Sequence, residues 1–377
     1  MDQSLLSSVA VTRKYSLLAV SISVALIASS QAYAACDILT PSSNQTVTCD
    51  GAESTAVIST AGSTSVGVMV NSGGQLTVAS EPAISLGDNS TVNNAGEITG
   101  QSTGILFREG SSQLSNTGAI TGVSGPGVLF EGSGNNQLTS SGIITGGTGG
   151  YAVIFGSGND TLSVTGGTIT GNINQGAGAD TANISAGTIT GTLAQGNGID
   201  DFVMSGGSLS ALQQGDNRDT FLMEGGTIDG AFEDGDVADM TGGTIGRVDM
   251  KLDNNIFNMS GGEIINNLVT GFGNDTITIS NNGIIGGNIS VSGGTDSVTV
   301  KGGTINGEIR MSNGNDLFQW EKGTIRSSVL MGADNDAIEF TNLDLTSATT
   351  SPLIDGGTGT DILTMNNSQY VHRDATI

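Results

Sequence analysis

A segment of about twenty residues recurs along this chain. Read from Gly156, the chain runs GSGNDTLSVTGGTITGNINQ and then GAGADTANISAGTITGTLAQ, and the theme returns from Gly271, from Val291 and, in weaker form, from Met331. A fixed period rich in Gly, Asn, Asp, Thr and β-branched residues is typical of a β-solenoid, in which no coil can bury its apolar side chains alone. The repeat therefore predicts that coils of this length stack on one another.

Each repeat reads as three short strands joined by three tight turns. In the coil that begins at Gly156, the alternation points Leu162 and Val164 inward, and the paired glycines that follow allow a sharp turn. Ile169 and Ile173 then mark the second and third strands. The prediction is an all-β fold, a right-handed parallel β-helix of about sixteen coils, which would form a rod of about 75 Å because stacked strands lie about 4.8 Å apart.

The period varies along the chain. In the first part it is looser, since the ITG triplets begin at Ile98, Ile120 and Ile144, which are 22 and 24 residues apart. Later repeats return every 19 to 21 residues, except for a 17-residue spacing that indicates a shortened coil around Asp234–Met250. The repeats follow one another without a long interruption, so we expect a single elongated domain.

The composition excludes several classes of protein. The chain has 377 residues, of which 60 are Gly and only 4 are Pro, and its glycines lack the three-residue period of collagen. It carries 11 Lys and Arg against 36 Asp and Glu, a formal net charge of −25. A surface this acidic repels phosphate backbones, so we expect no nucleic-acid partner. The acidity is interpreted as a means of staying soluble, or as a sink for divalent cations.

Residues 1–34 have the pattern of a secretory signal peptide. Arg13 and Lys14 supply the positive charge, YSLLAVSISVALIASS supplies an apolar stretch too short for a membrane span, and AYA supplies the cleavage pattern. We therefore expect export, with a mature chain that begins at Ala35. A lipoprotein signal that uses Cys36 is the alternative, and the tyrosine three residues before this cysteine disfavours it.

The mature chain has two cysteines, Cys36 and Cys49. In an oxidising compartment such an isolated close pair most simply forms a disulfide, which would stabilise the fold by about 3 kcal/mol through loop entropy. We expect residues 35–50 to form an N-terminal cap that covers the open strand edges of the first coil. Residues 51–371 are then the parallel β-helix, and 372–377 are a tail.

The turn motif Gly-x-Gly-Asn-Asp-x-apolar, as in GSGNDTL and GFGNDTI, offers one acidic residue per coil. It resembles the calcium-binding nonapeptide of repeat-in-toxin proteins, and the resemblance implies a column of Asp ligands for weakly bound Ca²⁺. Our candidate metal ligands are Asp160, Asp180, Asp200, Asp275 and Asp316. The alternative is that these side chains accept hydrogen bonds from turn amides and bind no metal. Apart from Ca²⁺, no cofactor is expected.

Catalytic chemistry finds few candidate residues. The chain has a single histidine, His372, so a serine or cysteine triad is not expected. A polysaccharide-active β-helix enzyme could work with a carboxylate pair alone, and this function stays open as an alternative. Phe318 and Trp320, which flank Gln319, are interpreted as packing residues, with a platform for sugar stacking as the second interpretation. We predict a protein that is not an enzyme.

A larger set of features resembles the passenger region of bacterial autotransporters, in particular adhesin-like β-helix passengers. These features are the signal peptide, the cysteine pair with TVTCDG, the repeats AGEITG and NTGAITG, and the MSGG and MTGG turns. The resemblance implies a precursor with three parts, namely a signal peptide, a passenger and an outer-membrane β-barrel translocator. Barrel-like strands do not precede Ile377, so we expect a truncated product or a fragment.

The resemblance also implies a function, a location and partners. We expect a non-catalytic stalk that acts in adhesion or self-association, and so in virulence. It would lie at the cell surface or be secreted if a barrel is supplied, and would otherwise be periplasmic. Its expected partner is a host-cell or glycan receptor, or a second rod, and contact with a membrane would come only through the missing barrel. The alternative is a calcium-binding repeat protein of the secreted toxin or hydrolase type.

Overall fold

The computed structural model describes residues 35–148, 150–346 and 352–370. The expected signal peptide, the expected tail and His372 lie outside these residues. Within the described ranges the regular structure is β-strand without helix. Accordingly, no helix there is long and apolar enough to cross a bilayer.

Most strands are short and follow one another closely along the chain, and the longest, β18, has 17 residues. Strands β1 to β12 span, in order, Thr46–Cys49, Ala52–Glu53, Val57–Ile58, Gly67–Val70, Gln75–Val78, Ile84–Leu86, Thr91–Asn94, Glu97–Gly100, Ile105–Phe107, Gln113–Asn116, Ala119–Gly122 and Val128–Phe130. Strands β13 to β24 span Gln137–Ser140, Ile143–Thr145, Tyr151–Ile154, Thr161–Thr170, Asn172–Asn174, Thr181–Asn197, Asp201–Met204, Ser208–Asp216, Thr220–Met223, Thr227–Glu233, Val237–Met240 and Thr244–Asp249. Strands β25 to β37 span Ile256–Met259, Glu263–Ile264, Leu268–Phe272, Thr276–Ile279, Ile284–Ile285, Ile289–Gly293, Ser297–Ile305, Ile309–Arg310, Leu317–Ile325, Val329–Leu330, Ala337–Thr341, Ile354–Asp355 and Ile362–Asn366.

These strands form three stacks, which are the three faces of the solenoid. The first stack begins with β1, β4, β7 and β10, the second with β2, β5, β8 and β11, and the third with β3, β6, β9 and β12. Neighbours within a stack pair in parallel, as Val47 does with Val68. The structure confirms the predicted all-β parallel β-solenoid with coils of about twenty residues. It has about fifteen turns, where the repeat predicted about sixteen.

Apolar side chains fill the inside of the solenoid in columns, because strands in register place equivalent residues above one another. The rings of Phe107, Phe130 and Phe155 stack with centroid distances of 4.8 and 4.9 Å. A second column of buried side chains, in register on the first stack, consists of Met204, Met223, Met240 and Met259. The core is therefore a narrow stack of ladders that runs the length of the coils.

The first described residues lie against the first coil. The sulfur atoms of Cys36 and Cys49 are joined in a disulfide, and the two residues also form an antiparallel bridge. Further along, the carbonyl oxygen of Leu39 accepts a hydrogen bond of 2.9 Å from the backbone N–H of Ile58. Leu39 and Ile38 pack against the apolar core. This segment therefore covers part of the strand edge of the first coil.

The shortened coil lies where the 17-residue spacing placed it. Thr220 in β21 pairs with Val237 in β23, which is 17 residues further on. The turn between β22 and β23 spans only 234–236. The stacks continue through this point, because β23 pairs in turn with β25 and β24 pairs with β26.

Glycine is required where the turns of consecutive coils approach each other. Gly196 has a φ of 105°, a value that favours glycine. A Cβ atom added there would lie 2.0 Å from the carbonyl oxygen of Gly176 in the preceding coil. The Gly-x-Gly triplets of the repeat therefore follow from the close approach of two backbones.

Candidate functional site

The residues that directly precede the first strand of each coil lie above one another and form a column of side chains. This set, called here the turn column, comprises Ser90, Ser112, Asn136, Asp160, Asp180, Asp200, Asp219, Asp236, Asn255, Asp275, Asp296, Asp316, Asp336 and Asp361. All five Asp residues that the sequence suggested as metal ligands lie in it. The column therefore collects most of the chemistry that the repeat motif contains.

Along most of the turn column, a side chain accepts a hydrogen bond from the backbone N–H of the member one coil earlier. The N–H of Asp160 donates to Oδ1 of Asp180 at 2.7 Å, and the N–H of Asp180 donates to Oδ1 of Asp200 at 2.7 Å. The same bond joins Asp296 to Oδ1 of Asp316 at 2.8 Å. These carboxylates therefore satisfy turn amides, as one of the two interpretations of the motif expected.

All but one of the carboxylates of the column are buried, the exception being the partly exposed Asp361. Asp160, Asp200 and Asp219 are 0% exposed, and Asp180 is 1% exposed. Only one oxygen of each carboxylate is bonded, because a buried Oδ2 without a hydrogen-bond partner occurs in Asp160, Asp180, Asp200, Asp219, Asp275, Asp296, Asp316 and Asp336. Sequence reasoning missed this burial, since Asp is rarely buried and a turn motif alone does not reveal what covers it.

Burial raises the pKa of these carboxyl groups. Desolvation raises the pKa of Asp180 to about 7, and the charges of its neighbours Asp200 and Asp160 add to the increase. Desolvation likewise raises the pKa of Asp219 to about 8 and that of Asp296 to about 7. The backbone N–H bonds to these groups lower each pKa, but by less than burial raises it. Near neutral pH the column therefore binds protons far more readily than an Asp in water.

The turn column does not surround a common point. Its members lie one per coil, at successive levels about 4.8 Å apart, whereas Ca²⁺ takes six to eight oxygen ligands around a single centre. Within the described ranges, no three His, Cys, Asp or Glu side chains come together in a way that could hold a metal ion. The candidate ligands Asp160, Asp180, Asp200, Asp275 and Asp316 thus share a column without forming a metal centre there.

Exposed asparagines lie directly before several of the buried acids, as Asn159 and Asn274 do. The Oδ1 atom of Asn159 accepts the backbone N–H of Ala179 at 2.9 Å, and that of Asn274 accepts the N–H of Thr295 at 2.7 Å. In the Asn-Asp pair of the motif, the Asn side chain therefore bonds to the following coil and the Asp side chain bonds to the preceding coil. The pair joins three successive turns.

An acidic depression of about 300 Å³ opens beside the shortened coil, where Asp216, Asp234 and Asp253 line it together with Lys251. The Nζ atom of Lys251 lies 2.8 Å from Oδ2 of Asp234 and 3.3 Å from Oε2 of Glu233. Both carboxylates and the hydrogen bond to Asp234 raise the pKa of Lys251. Lys251 therefore partly neutralises the negative charge of Glu233 and Asp234 in this depression.

A different set of columns lies on the outer side of the second stack. Thr77 pairs with Thr99, Thr99 with Thr121, and Thr121 with Thr145 in register. We define the hydroxyl face as this column and the column beside it, which together comprise Thr77, Thr99, Thr121, Thr145, Thr170, Thr190 and Ser210, with Thr168, Thr188 and Ser208. Each of these side chains is at least partly exposed. The recurring ITG triplet is the sequence signal that could have identified this face.

From the coil of Thr121 to the coil of Ser210, the hydroxyl face is uncharged on a chain whose formal net charge is −25. Toward the N terminus Glu97 lies beside Thr99, and toward the C terminus Asp229 follows Ser210 in the next coil. Threonine has few side-chain rotamers on a strand, so its hydroxyl is held in a narrow range of positions. The face therefore presents a rigid, neutral array of hydroxyl groups with a repeat of about 4.8 Å.

The two aromatic residues near the C-terminal coils lie inside the solenoid. Phe318 is 0% exposed and Trp320 is 2% exposed. The indole of Trp320 meets the ring of Phe340 edge to face, with centroids 5.8 Å apart. The packing interpretation is confirmed, and the alternative of a platform for sugar stacking was wrong because neither ring reaches the surface.

Comparisons with known proteins do not extend this description. No family model matches the chain, and no curated protein or solved structure matches it at a significant level. The geometry of the turn column and of the hydroxyl face therefore carries the functional argument.

Proposed function

We propose that the chain is an exported, non-catalytic adhesin of the autotransporter-passenger class, and that its hydroxyl face binds a neutral glycan on another cell. The observation that carries this proposal is the uncharged double column of Thr and Ser on an otherwise acidic solenoid. The signal-peptide pattern of residues 1–34 supports export, and a β-solenoid of about fifteen turns is consistent with a passenger.

The chemistry of the hydroxyl face suits a polymer with its own hydroxyl groups. A hydroxyl both donates and accepts hydrogen bonds, so a row of them can match a chain of sugars without charge. Each contact is weak by itself, but contacts repeated along a rigid array add to one another because the second binding event becomes intramolecular. An acidic glycan would be repelled by the surrounding carboxylates, which favours a neutral one.

The buried acids do not serve such a surface. Perturbed carboxyl groups often mark catalytic sites, but a catalytic group must reach its substrate. The acids of the turn column are closed off by neighbouring turns, as the 0% exposure of Asp160 and Asp219 illustrates. This supports a binding function for the outer face and a structural function for the column.

The test replaces hydroxyl groups by methyl groups of the same shape. The variant with Thr145→Val, Thr170→Val and Thr190→Val keeps the β-branched side chains that strands favour. We expect its binding to an immobilised neutral polysaccharide, and the attachment of beads coated with it to cells, to fall by about tenfold or more. Acidic polysaccharides should bind neither form.

The matched control carries the same change on the first stack, as Thr161→Val, Thr181→Val and Thr278→Val. These residues are partly exposed and lie outside the hydroxyl face. The control should bind as the unchanged chain does. Equal binding by all three proteins, or an equal loss in both variants, would contradict the proposal.

Self-association of two rods is a second candidate function, which the same observation favours. Two acidic solenoids repel each other, but the neutral hydroxyl faces could meet with little repulsion. Sedimentation velocity distinguishes the two functions. A dimer that disappears in the Thr145→Val, Thr170→Val, Thr190→Val variant, without any binding to polysaccharide, would replace adhesion to a glycan by self-association.

A further inference from the structure

The turn column contains an imbalance between acceptors and donors. From Asp160 onward, each ionised carboxylate offers only acceptors, and one backbone N–H per coil is bonded to it. Eight Oδ2 atoms of the column are buried without any partner, namely those of Asp160, Asp180, Asp200, Asp219, Asp275, Asp296, Asp316 and Asp336. Acids at this spacing would also repel one another if all of them were ionised.

A second column of buried acceptors lies under the same turns. Gln175, Gln195 and Gln214 are each 0% exposed. The Nε2 atom of each donates to the carbonyl oxygen of the residue directly after a column acid, with distances of 3.2, 3.2 and 2.9 Å, so the glutamines cross the turn beside the acids. The Oε1 atoms of Gln175 and Gln214 are themselves buried and without a partner. Beside Asp180 and Asp219 the buried acceptors thus outnumber the donors, whereas at Asp275 the hydroxyl of Thr270 supplies a donor.

One neutral member of the turn column, Asn136, shows what would complete it. Asn136 has nearly the shape of a protonated Asp, and its Nδ2 atom stands where an acid has Oδ2. That atom donates to the carbonyl oxygen of Gly134 at 2.7 Å and to Oδ1 of Asp160 at 3.0 Å. A hydrogen on the outer oxygen of an acid would make the same kind of bond.

We propose that the acids of the turn column bind protons, so that the folded C-terminal coils hold several of these carboxyl groups in the neutral form and release the protons when they unfold. Each proton comes from solvent and forms an O–H bond at Oδ2, and this O–H group donates a hydrogen bond to a buried oxygen of the same turns. On unfolding it returns to solvent, and the carboxylate is hydrated. The inference does not depend on the adhesive function.

The direction of the pH dependence follows from burial. Desolvation raises the pKa to about 6 for Asp160 and Asp316, to about 7 for Asp180 and to about 8 for Asp219. In the unfolded chain the same groups titrate near 4. The folded state therefore binds more protons than the unfolded state between about pH 4 and about pH 8, and its stability falls as the pH rises through this window.

Charged groups around the column act mostly in the same direction. Other acids raise the pKa of its members, and the guanidinium of Arg218 lowers that of Asp236. Asp201 faces Asp200 and Asp219, and both Asp234 and Asp253 face Asp236. Asp334 faces Asp316 and Asp336, and Asp361, the partly exposed last member of the column, also faces Asp336. The column is thus surrounded by negative charge, which favours the neutral form of the acids.

The experiment counts protons. The chain is unfolded by denaturant in weakly buffered solution at about pH 6 with a metal chelator present, and the change in pH is measured. We expect the release of several protons per chain. The variant with Asp180→Asn, Asp219→Asn and Asp296→Asn should release about three fewer, and the exposed control Asp229→Asn should release as many as the unchanged chain. No release, or uptake of protons, would overturn the proposal.

A second measurement needs no variant. The infrared band of protonated carboxyl groups should be present in the folded chain near neutral pH and should disappear on unfolding. Absence of this band overturns the proposal. Added Ca²⁺ tests whether the column binds a metal ion in place of protons. A column that binds the cation would release few protons on unfolding, and Ca²⁺ would stabilise the folded chain at about pH 8.

Discussion

The N-terminal coils, residues 66–148, and the C-terminal coils, residues 156–346, meet the same requirement with different side chains. In both, an inward-facing turn N–H needs an acceptor from the next coil. The N–H of Ser112 donates to Oδ1 of Asn136 at 3.0 Å, and the N–H of Asp160 donates to Oδ1 of Asp180 at 2.7 Å. The first acceptor is neutral at every pH, whereas the second titrates. The backbone therefore specifies an acceptor but not a charge.

Inside the first stack of strands, the N-terminal coils have the more polar side chains and the C-terminal coils have apolar ones. In the N-terminal coils, the Nδ2 atom of Asn94 donates to Oδ1 of Asn116 at 2.8 Å, and the Nδ2 atom of Asn116 donates to Oγ of Ser140 at 3.2 Å. The next members of this column are Val164 and Ile184, which are apolar. A polar ladder inside the sheet is thus exchanged for a buried acid column in the turn. The comparison shows that these coils tolerate buried polar groups wherever register supplies a partner.

The largest expected effect tests the amide ladder. Asn116→Ala removes an acceptor from Asn94 and a donor from Ser140, and it leaves a small cavity. We expect it to lower the free energy of unfolding by about 2 kcal/mol. Because no titrating group is involved, the loss should be the same at about pH 5 and about pH 8. Urea unfolding with hydrogen exchange resolved along the chain measures it.

The control for the amide ladder is Asn93→Ala, which changes an exposed asparagine of strand β7, the strand that pairs with β10 and so with Asn116. This variant should be nearly as stable as the unchanged chain. If the loss of stability for Asn116→Ala changed with pH, a titrating group would contribute to the amide ladder, and the contrast between a neutral N-terminal region and a titrating C-terminal region would fail.

The next effect tests the acid column. Asp180→Ala leaves the buried N–H of Asp160 without an acceptor and should cost about 1 kcal/mol at about pH 5. Asp180→Asn keeps the acceptor and removes the charge. It should match the unchanged chain at about pH 5 and exceed it in urea midpoint at about pH 8, because the pKa of Asp180 is raised to about 7. An Asn variant as weak as the Ala variant at low pH would contradict this account.

The smallest effect moves the boundary between the regions. Asn136→Asp extends the acid column by one coil toward the N terminus. At about pH 5 we expect a change below about 1 kcal/mol, since a neutral acid replaces a neutral amide. At about pH 8 hydrogen exchange in strands β13 and β14 should become faster than in the unchanged chain. If hydrogen exchange in the variant equals that of the unchanged chain at both pH values, burial in this coil does not raise the pKa of the new acid.

Much of the fold could be predicted from local patterns. The period, the three strands per coil and the shortened coil follow from the spacing of apolar residues and glycines, because each strand depends mainly on its own alternation and on the adjacent turns. The packing of Phe318 and Trp320 was predicted correctly on the same ground. The handedness of the helix, the signal peptide, the class of autotransporter passenger and the adhesive function stay predictions.

The site was only partly predictable. The motif located the acids of the turn column and offered turn amides as their partners, which the bond between Asp160 and Asp180 illustrates. It did not reveal that Oδ2 of these acids is buried, because burial depends on how the coils stack and not on the motif alone. The hydroxyl face was likewise dispersed along the sequence as separate ITG triplets, which only register brings together.

By itself, the sequence determined the repeating unit of this protein, since strand alternation and glycine turns are encoded within each coil. Only the tertiary structure decided which polar groups became columns and which of those are sealed from water. The physical reason is that stacking superimposes residues about twenty positions apart at about 4.8 Å, so burial and much of the like-charge repulsion arise between coils. The same Asp would titrate normally in an isolated turn, and it becomes a proton-binding group in the stack.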